Sequence, residues 1–440
     1  MELREVNIVD MLAARDARAV RQSQMLLRHR VPLISFTMNI AGPIKNDEWI
    51  ERAFREGAQR IEAVLLGRRA TVLESVSTIA FTGCEQLWAV NADADALKSW
   101  MQLIEEQDKL GRLFDIDIIA PDGKKLSRAT ERCCLICGGP VRVCARSRAH
   151  SADELFQRTQ LVIRRHFKQQ FTGKIAMIAE QSLLYEVATT PKPGLVDFEN
   201  SGAHQDMDRF TFIDSACALR SYFEKCAEAG TENAEGDPIK LFEQLRSLGQ
   251  QAEAKMLSAT HNVNTHKGAL FSLGILCCAA GMSFGHAIAL NDLLQRASDL
   301  AKASLADFNE ISAENALTGG EQQYAHCGLT GVRGEAAAGF PSVREIALPA
   351  LERALSEGAN LNDAGLSALL ALMAQVADSN VLRRTGEGGL QFMHREVGKI
   401  SSSDHAALHA LNESFVSANL SPGGCADLLA VAWFLHEIVS

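Results

Sequence analysis

The spacing of hydrophobic and polar positions changes part of the way along the chain. Up to about residue 168, helical and strand patterns alternate; from about Phe171, strand patterns almost vanish and long alanine- and leucine-rich helical patterns follow one another between Gly/Pro loops. Apolar residues recur every three to four positions in an amphipathic helix and every second position in a half-buried strand. We therefore predict a multidomain chain, with an N-terminal α/β domain at 1–170 and a C-terminal all-α domain at 171–440.

The N-terminal patterns can be placed individually. Helical patterns cover residues 10–29, 47–66, 93–110 and 151–168, whereas strand patterns cover 31–40, 71–83, 87–91 and the two arms of a hairpin within 112–128. Asp47 is a plausible N-cap for its helix. The hairpin turn is expected at Pro121-Asp122-Gly123.

One uncharged run, residues 268–290, is long enough to suggest a membrane span. It contains four glycines, two serines and a histidine, and its flanking charges differ little. A helix buried inside a bundle explains this composition better. We therefore expect no membrane as a partner. We expect no nucleic acid as a partner either.

Overall composition indicates a globular cytoplasmic protein. Hydrophobic residues make up 47% and charged residues 22% of the 440 residues, and the first residues form no apolar signal segment. The 11 cysteines are then expected to be reduced thiols.

Charge is distributed unevenly between the two predicted domains. Residues 1–170 hold 26 lysines and arginines against 22 acidic residues, a net of +4, and the remainder holds 18 against 32, a net of −14. A mildly basic domain suits an anionic substrate or an acidic protein. A drift of surface charge without functional meaning explains the numbers equally well.

The stretch "GRLFDIDII" places two carboxylates inside an apolar strand pattern. Asp115 and Asp117 are two residues apart, so they project from the same face of a strand. Neighbouring carboxylates repel each other, and a divalent cation is the usual compensation, as in many nucleotidyl transferases. We predict that both residues bind Mg²⁺ or Mn²⁺ and take part in catalysis; an edge strand with an acidic polar face is the alternative.

A cysteine-rich, arginine-rich stretch follows. Cys134, Cys137, Cys144 and His150 have one C-x2-C spacing, so structural zinc is possible, but a hydrophobic strand with small buried thiols is favoured. The basic residues around them are Arg128, Arg132, Arg142, Arg146 and Arg148. This cluster either binds phosphate or forms a solvated face.

Three stretches together resemble one enzyme family. "LISFTMNIAGPIKN", "GRLFDIDIIAPDG" and "CLICGGPVRVCARSRAHS" are similar to apo-citrate lyase phosphoribosyl-dephospho-CoA transferases over residues 5–168. The resemblance implies a nucleotidyltransferase-like mixed sheet with helices. It also implies transfer of a CoA-derived group to a serine of the acyl-carrier (gamma) subunit of citrate lyase, with release of pyrophosphate.

In the helical part, polar side chains gather in loops. We predict a catalytic cluster of His204, Asp206 and Asp208, in which both aspartates are metal ligands. The residues predicted to bind substrate are Lys192, His266, Lys267, Arg333, Glu335, Arg383 and Arg384. Lys192 lies between Pro191 and Pro193, and His266 and Lys267 precede a helix whose N-terminus suits an anion. Each signal alone is weak, and a solvated cap explains the His266-Lys267 pair better than a binding site does.

The same loops resemble a second family. "TTPKPGLVDFENSGAHQDMDRFTF", "NTHKGALFSLG", "GLTGVRGEAAAGFPSV" and "DSNVLRRTG" are similar to triphosphoribosyl-dephospho-CoA synthases over residues 173–440. The resemblance implies that ATP and 3′-dephospho-CoA react to release adenine, and that the product is the substrate of the first family.

We therefore predict a bifunctional transferase that makes and attaches the citrate lyase prosthetic group. In the second part, we expect Mg²⁺ and the basic residues to bind triphosphate, and a carboxylate to stabilise an oxocarbenium-like transition state. The alternatives are an equivalent enzyme for a malonate decarboxylase carrier and an inactive CoA- or nucleotide-binding regulator.

Overall fold

The structure is a computed structural model that describes residues 4–128, 132–312, 316, 324–325 and 328–439. The chain divides into two compact units, Met1–Gln169 and Gln170–Ser440. A small antiparallel sheet lies in the first unit, and the described remainder is mostly helical. The assignment of one activity to each side of residue 170 stays a prediction.

The sheet of the first unit has four strands. They are β1 (Leu33–Met38), β2 (Thr71–Ala80), β3 (Gly83–Asn91) and β4 (Phe114–Ile119), in the order β2-β3-β1-β4. Each neighbouring pair is antiparallel, so the predicted mixed sheet is wrong. The physical reason is connectivity: β1 and β2, which are joined through a helix, are not neighbours, and β2 and β3 form a tight hairpin.

Helices cover both faces of this sheet. The helices of the unit are α1 (Ile8–His29), α2 (Glu48–Gly67), α3 (Ala94–Glu106) and α4 (Val141–Ser147), with a 3₁₀ turn at Gly111–Leu113. On one face Phe36 stacks on Phe54 of α2 at 4.9 Å and meets the edge of Phe114 at 5.3 Å. On the other face Met25 of α1 packs with Leu33 and Ile119.

Sequence patterns located most of these elements. Asp47 caps α2 as predicted, accepting a hydrogen bond of 2.7 Å from the Ile50 amide. The second arm of the predicted hairpin after β4 is wrong, because residues 120–128 contribute one isolated bridge, Ile119 to Lys125, and no strand. The predicted helix at 151–168 continues much further, as α5 (Ala152–Ala188), so the boundary between the units lies inside a helix.

Among the described residues of the second unit, all regular secondary structure is helical. Its remaining helices are α6 (Arg209–Glu232), α7 (Pro238–Ala259), α8 (Lys267–Gly281), α9 (Leu290–Lys302), α10 (Gly331–Ala337), α11 (Leu348–Ser356), α12 (Leu361–Met373), α13 (Ser379–Val397), α14 (His405–Ser417) and α15 (Gly423–Val439), with a 3₁₀ segment at Ala303–Glu310 and a π-helical turn at Val343–Ala347. The apolar run at 268–290 mostly forms α8, a 15-residue helix that is almost completely buried in the core. Across the described residues, helices with the length and apolar character of a membrane span are absent.

Candidate active sites

An acidic surface lies on the α1 side of the sheet. In β4, Asp115 and Asp117 alternate with buried residues and therefore share this face, with 51% and 31% of their side chains exposed. The strand register places Asp115 and Glu85 on opposite sides of Thr37. Three carboxylates thus occupy one end of the face.

Basic side chains balance this acidic charge. Arg18 and Arg21 of α1 form ion pairs with Glu85, and Lys125 Nζ lies 2.5 Å from Asp117 Oδ2. Burial lowers the pKa of Arg18, while Asp115 and Asp117 act to raise it. Side-chain cations therefore supply part of the charge compensation that the sequence pattern suggested from a metal.

Glu105 of α3 orients two arginines beside this surface. Its carboxylate is buried, forms ion pairs with Arg128 and Arg132, and accepts a hydrogen bond of 3.0 Å from the Ile116 amide. Arg132 also donates to the Phe114 carbonyl at 2.8 Å and lies 3.7 Å from Asp115. One guanidinium therefore connects β4 with the segment that begins at Arg132.

Arginines also surround a neighbouring cavity of about 750 Å³. Its polar lining includes Arg112, Arg128, Arg132 and Arg148, together with Glu105 and Glu106. Of the predicted basic cluster, Arg142 and Arg146 do not line it. Guanidinium groups bind phosphate through paired hydrogen bonds, so this cavity is suited to a phosphorylated ligand.

The cysteine-rich stretch brings four potential metal ligands together. Ligand atoms of Cys134, Cys137, Cys144 and His150 all lie within 4.8 Å of one another. The favoured strand of buried thiols is wrong, because this stretch contains one isolated bridge and α4, and Cys137 is exposed. A hydrogen bond from His150, with a second from the Gly139 amide, lowers the pKa of the Cys137 thiol to about 6.

In the second unit, Lys192 is an interior residue. Its side chain is 0% exposed, and its ammonium group donates to the Glu186 carbonyl oxygen at 2.7 Å and to the Glu186 carboxylate. The loop at 189–197 thus turns the lysine inward and does not present it to solvent. Burial raises the pKa of Glu186, while Lys192 acts to lower it.

A carboxylate occupies the helix N-terminus that was predicted to receive an anion. Asp427 of α15 accepts a hydrogen bond from the Ala269 amide in the first turn of α8. This approach requires glycine at 268, because an added Cβ would lie 2.1 Å from Asp427 Oδ2. Burial raises the pKa of Asp427 well above its usual range, and the nearby Glu186 raises it further.

A second buried carboxylate joins two more helix starts. Asp378 Oδ1 accepts from the Asn380 amide at 2.8 Å, at the start of α13, and Oδ2 accepts from the Cys425 amide at 2.8 Å, at the start of α15. Asp378 also contributes to the raised pKa of Asp427. The starts of α8, α13 and α15 therefore meet around a pair of interacting carboxylates.

His266 lies in this buried region as well. Its Nδ1 shares a hydrogen bond of 2.7 Å with Ser215 Oγ, which in turn accepts from Thr265 Oγ1 at 2.7 Å. Burial lowers the pKa of His266 to about 3, with a smaller contribution from Lys192, so the imidazole is neutral. Its Nε2 atom is buried and has no hydrogen-bond partner among the described residues.

His204, Asp206 and Arg384 form a more accessible group. His204 Nε2 shares a hydrogen bond of 2.9 Å with Ser421 Oγ, and its Nδ1 lies 3.9 Å from Asp206, whose side chain is 65% exposed. Arg384 donates to the Ala203 carbonyl at 3.0 Å. Burial, followed by the charge of Arg384, lowers the pKa of His204.

Asp208 has a structural function in this arrangement. It is the N-cap of α6, where Oδ1 accepts from the Thr211 amide at 3.0 Å and the Asp208 amide donates to Thr211 Oγ1 at 3.2 Å. These bonds form a capping box, which occupies the carboxylate predicted to bind metal. The cap alone accounts for this side chain, and the catalytic role predicted for it from the sequence is untested.

The remaining predicted binding residues have partners of their own. Lys267 pairs with Glu253 at 2.5 Å, and Arg333 pairs with Asp307 at 2.8 Å. Glu335 accepts from the Ser342 amide at 2.7 Å, and Arg383 is an exposed residue with a 3.4 Å hydrogen bond to Asn380. The seven predicted substrate-binding residues therefore do not surround one point. Lys192 lies near His266, and Arg384 lies near His204 of the predicted catalytic cluster.

Sequence inspection missed Glu85, Glu105, Glu186 and Asp427 as site residues. Asp427 had a usable signal, since it is the single charged residue in the apolar stretch at 425–435, after a Pro-Gly-Gly loop. Glu186 and Glu105 occur in ordinary amphipathic patterns, where an acidic residue on the buried side is not distinguishable from a solvated one.

Comparisons with known proteins match both units. Residues 172–440 match the family described as "CitG: ATP:dephospho-CoA triphosphoribosyl transferase", and residues 6–166 match "CitX: Apo-citrate lyase phosphoribosyl-dephospho-CoA transferase".

Relatives of two kinds are found. "Protein CitXG" of Leuconostoc mesenteroides subsp. cremoris is 32% identical over 99% of this chain and 97% of its own length. "Protein CitXG" of Haemophilus influenzae is 31% identical over 98% of this chain and 96% of its own length. The 2-(5''-triphosphoribosyl)-3'-dephosphocoenzyme-A synthase of Pectobacterium atrosepticum is 41% identical over 58% of this chain and 86% of its own length. The chain therefore belongs to the CitXG family of bifunctional transferases, which combines the two activities of citrate lyase prosthetic-group synthesis.

Proposed function

We propose that the second unit makes the activated prosthetic group and the first unit attaches it. In the first step a ribose hydroxyl of 3′-dephospho-CoA displaces adenine from the anomeric carbon of ATP, and the triphosphate is kept. In the second step a serine hydroxyl of the citrate lyase acyl-carrier subunit attacks the phosphate next to the ribose, and pyrophosphate leaves. The cytoplasm is the proposed location.

For adenine release, the proposed centre is the buried group of Glu186, Lys192, His266, Asp378 and Asp427. The observation that supports it is the position of Asp427 at the start of α8, where an added Cβ at Gly268 would lie 2.1 Å from its Oδ2 and where burial and the nearby Glu186 raise its pKa. A raised pKa makes a carboxylate a stronger general base. In this proposal Asp427 accepts the proton of the attacking hydroxyl. Glu186 stabilises the positive charge that develops on the sugar.

The triphosphate is assigned to the accessible group beside that centre. Arg384 supplies a cation there. Ser421, which shares a hydrogen bond with His204, lies two residues before the start of α15, where backbone N–H groups favour anions. Asp206 is the exposed carboxylate of this group and the proposed ligand for a magnesium ion bound together with the phosphates. When bound, that ion neutralises phosphate charge.

The assignment is tested by adenine release from ATP on addition of dephospho-CoA, measured by chromatography. Asp427→Asn is expected to lower the rate by about 10²–10⁴-fold, the usual contribution of a general base. The matched control is Asp292→Asn, an exposed acid in the first turn of α9. Equal rates in Asp427→Asn and the control would remove Asp427 from the reaction.

For attachment to the carrier, the proposed site joins the acidic surface to the arginine-lined cavity. The proposal rests on Arg132, because this residue lines the cavity and also lies 3.7 Å from Asp115 on the acidic surface. In this arrangement the cavity arginines bind the triphosphate, and Asp115 and Asp117 lie beside the reacting phosphate. A guanidinium held by the buried Glu105 stabilises charge on the departing pyrophosphate.

Asp115 and Asp117 also fit a magnesium ion. They are hard oxygen donors on one accessible face, and Mg²⁺ commonly uses one or two carboxylates together with substrate phosphates. Within the described residues, the grouped metal ligands are the three cysteines and His150, so a complete carboxylate cage is not present. When bound, the ion would neutralise phosphate charge. The likeness of this unit to nucleotidyltransferases is part of the proposal.

This second assignment is tested by the mass increase of the acyl-carrier subunit when preformed triphosphoribosyl-dephospho-CoA is supplied. Arg132→Gln is expected to slow modification at least about tenfold, as expected for loss of a charge-assisted contact. Arg55→Gln, an exposed residue of α2 paired with Glu51, is the control. Modification at the control rate would exclude Arg132 from the site, and unchanged adenine release in both variants reports that the second unit is folded.

A further inference from the structure

Segment 132–151 adopts a defined fold with almost no buried side chains. A turn closes through hydrogen bonds from the Gly138 amide to the Cys134 carbonyl at 3.0 Å and from the Cys134 amide to the Gly139 carbonyl at 2.6 Å, and α4 follows. Cys134 is the only buried residue of the segment. So small an apolar contribution cannot offset the entropy lost on ordering the backbone, and short segments of this kind usually need a cross-link or a metal.

The turn and α4 bring soft ligands to one point. One ligand atom from each of four residues lies within 4.8 Å of the other three: Cys134, Cys137, Cys144 and His150. Gly138 has a φ of 73°, which a glycine adopts without strain and which lets the chain reverse directly after Cys137. The residue types and the C-x2-C spacing are those of a Cys₃His zinc site.

The sulfur geometry separates a metal site from a disulfide. Cys137 Sγ and Cys144 Sγ are 3.4 Å apart, far beyond the roughly 2.05 Å of a disulfide bond. Two thiolates bound tetrahedrally to one zinc ion, at about 2.3 Å each, are separated by about 3.8 Å. In addition, His150 Nε2 is buried without a hydrogen-bond partner among the described residues.

We infer that Cys134, Cys137, Cys144 and His150 bind one structural Zn²⁺ ion, which holds segment 132–151 in place. Thiolate-rich tetrahedral sites select zinc over magnesium. Four protein ligands fill the coordination sphere, so the ion has no open position for a substrate. Arg132 and Arg148 belong to the same segment and line the arginine-rich cavity, so the ion also fixes their positions. This last consequence rests on the proposed carrier-modification site, whereas the zinc site itself does not.

The primary test is metal content. The full-length protein, purified without chelators, is expected to hold about one zinc per chain by mass spectrometry, and Cys137→Ser to hold at least about tenfold less. Cys133→Ser, which changes an exposed neighbouring thiol outside the group, is the matched control and should keep its zinc. Iron in place of zinc, a Cys137–Cys144 disulfide, or equal zinc in both variants would overturn the site.

Three further measurements distinguish loss of zinc from loss of folding and from failure of the proposed function. Cobalt added to the chelator-treated protein should give the visible absorption of a tetrahedral thiolate site, and Cys137→Ser should not. Trypsin should cleave after Arg142, Arg146 and Arg148 at least about tenfold faster after zinc removal, and zinc should restore protection. Unchanged cleavage would overturn the structural role even if zinc is bound. Adenine release by the same samples reports on folding of the second unit.

Discussion

Replacing Lys192 by methionine should destabilise the second unit strongly. The side chain is 0% exposed, and the substitution leaves the Glu186 carboxylate buried without its cation. Loss of one partner from a buried ion pair costs about 3–5 kcal/mol, consistent with two lost charge-assisted hydrogen bonds at about 1.5–3 kcal/mol each. Lys267→Met is the matched control: its lysine is half exposed and pairs with Glu253, so the expected loss is at most about 1 kcal/mol.

The loss should depend on pH in a defined direction. Burial raises the pKa of Glu186 in the folded protein, whereas the charge of Lys192 lowers it. Removal of Lys192 should therefore raise the pKa of Glu186 further. A carboxyl group with a raised folded-state pKa favours the folded state at low pH, and this contribution is lost as pH rises toward the folded-state pKa. The destabilisation by Lys192→Met should therefore be smaller at pH 5.5 than at pH 8.

Unfolding of the second unit can be followed at one tryptophan. Trp433 is the only tryptophan after Trp100, and it is buried in α15. Protein labelled with 5-fluorotryptophan gives a fluorine resonance for Trp433, which reports urea unfolding of this unit apart from the first. A loss below about 1 kcal/mol at pH 8, or an equal loss at both pH values, would refute the buried ion pair.

Other predictions separate catalytic from structural roles. Asp115→Ala and Asp117→Ala should abolish carrier modification, measured as a mass shift, and leave adenine release intact; loss of adenine release would contradict the assignment of activities. Asp206→Asn should lower adenine release at least about 10²-fold, whereas Asp208→Ala should cost about 1 kcal/mol of stability as a lost cap and keep its rate. The reverse pattern would make Asp208 the reacting residue. Arg384→Gln should raise the pKa of His204 in an NMR titration, because the charge of Arg384 disfavours the imidazolium; an unchanged pKa would place the two groups too far apart to interact.

Local signals predicted the elements well where one helix turn or one strand face decides the structure. Asp47 and Asp93 both cap helices where a short acidic side chain precedes an apolar periodic segment, and alternation placed Asp115 and Asp117 on one face of β4. The direction of the strands depends instead on which distant segments pair. Nothing in the pattern of β1 indicates that β3 and β4 lie on its two sides and that both run antiparallel to it.

The candidate sites show the same limit. The sequence identified the polar loops of the second unit and predicted that Lys192 binds substrate, but it did not indicate that this side chain is buried. Whether a lysine points inward depends on a buried partner such as Glu186, and that partner lies in an ordinary helical pattern. The pairing of Asp427 with the start of α8 likewise joins segments about 160 residues apart, beyond any periodicity argument.

The extent of α5 has a practical consequence for studying the two activities separately. A cut at the boundary between the units would sever a 37-residue helix and leave four carbonyls and four amides without partners at the break. Phe167, before that boundary, packs on Trp49, while Ile175, beyond it, belongs to the helical core. Neither fragment would be complete, so expression of single-activity proteins should use overlapping fragments, such as 1–188 and 152–440, in which each retains the entire helix.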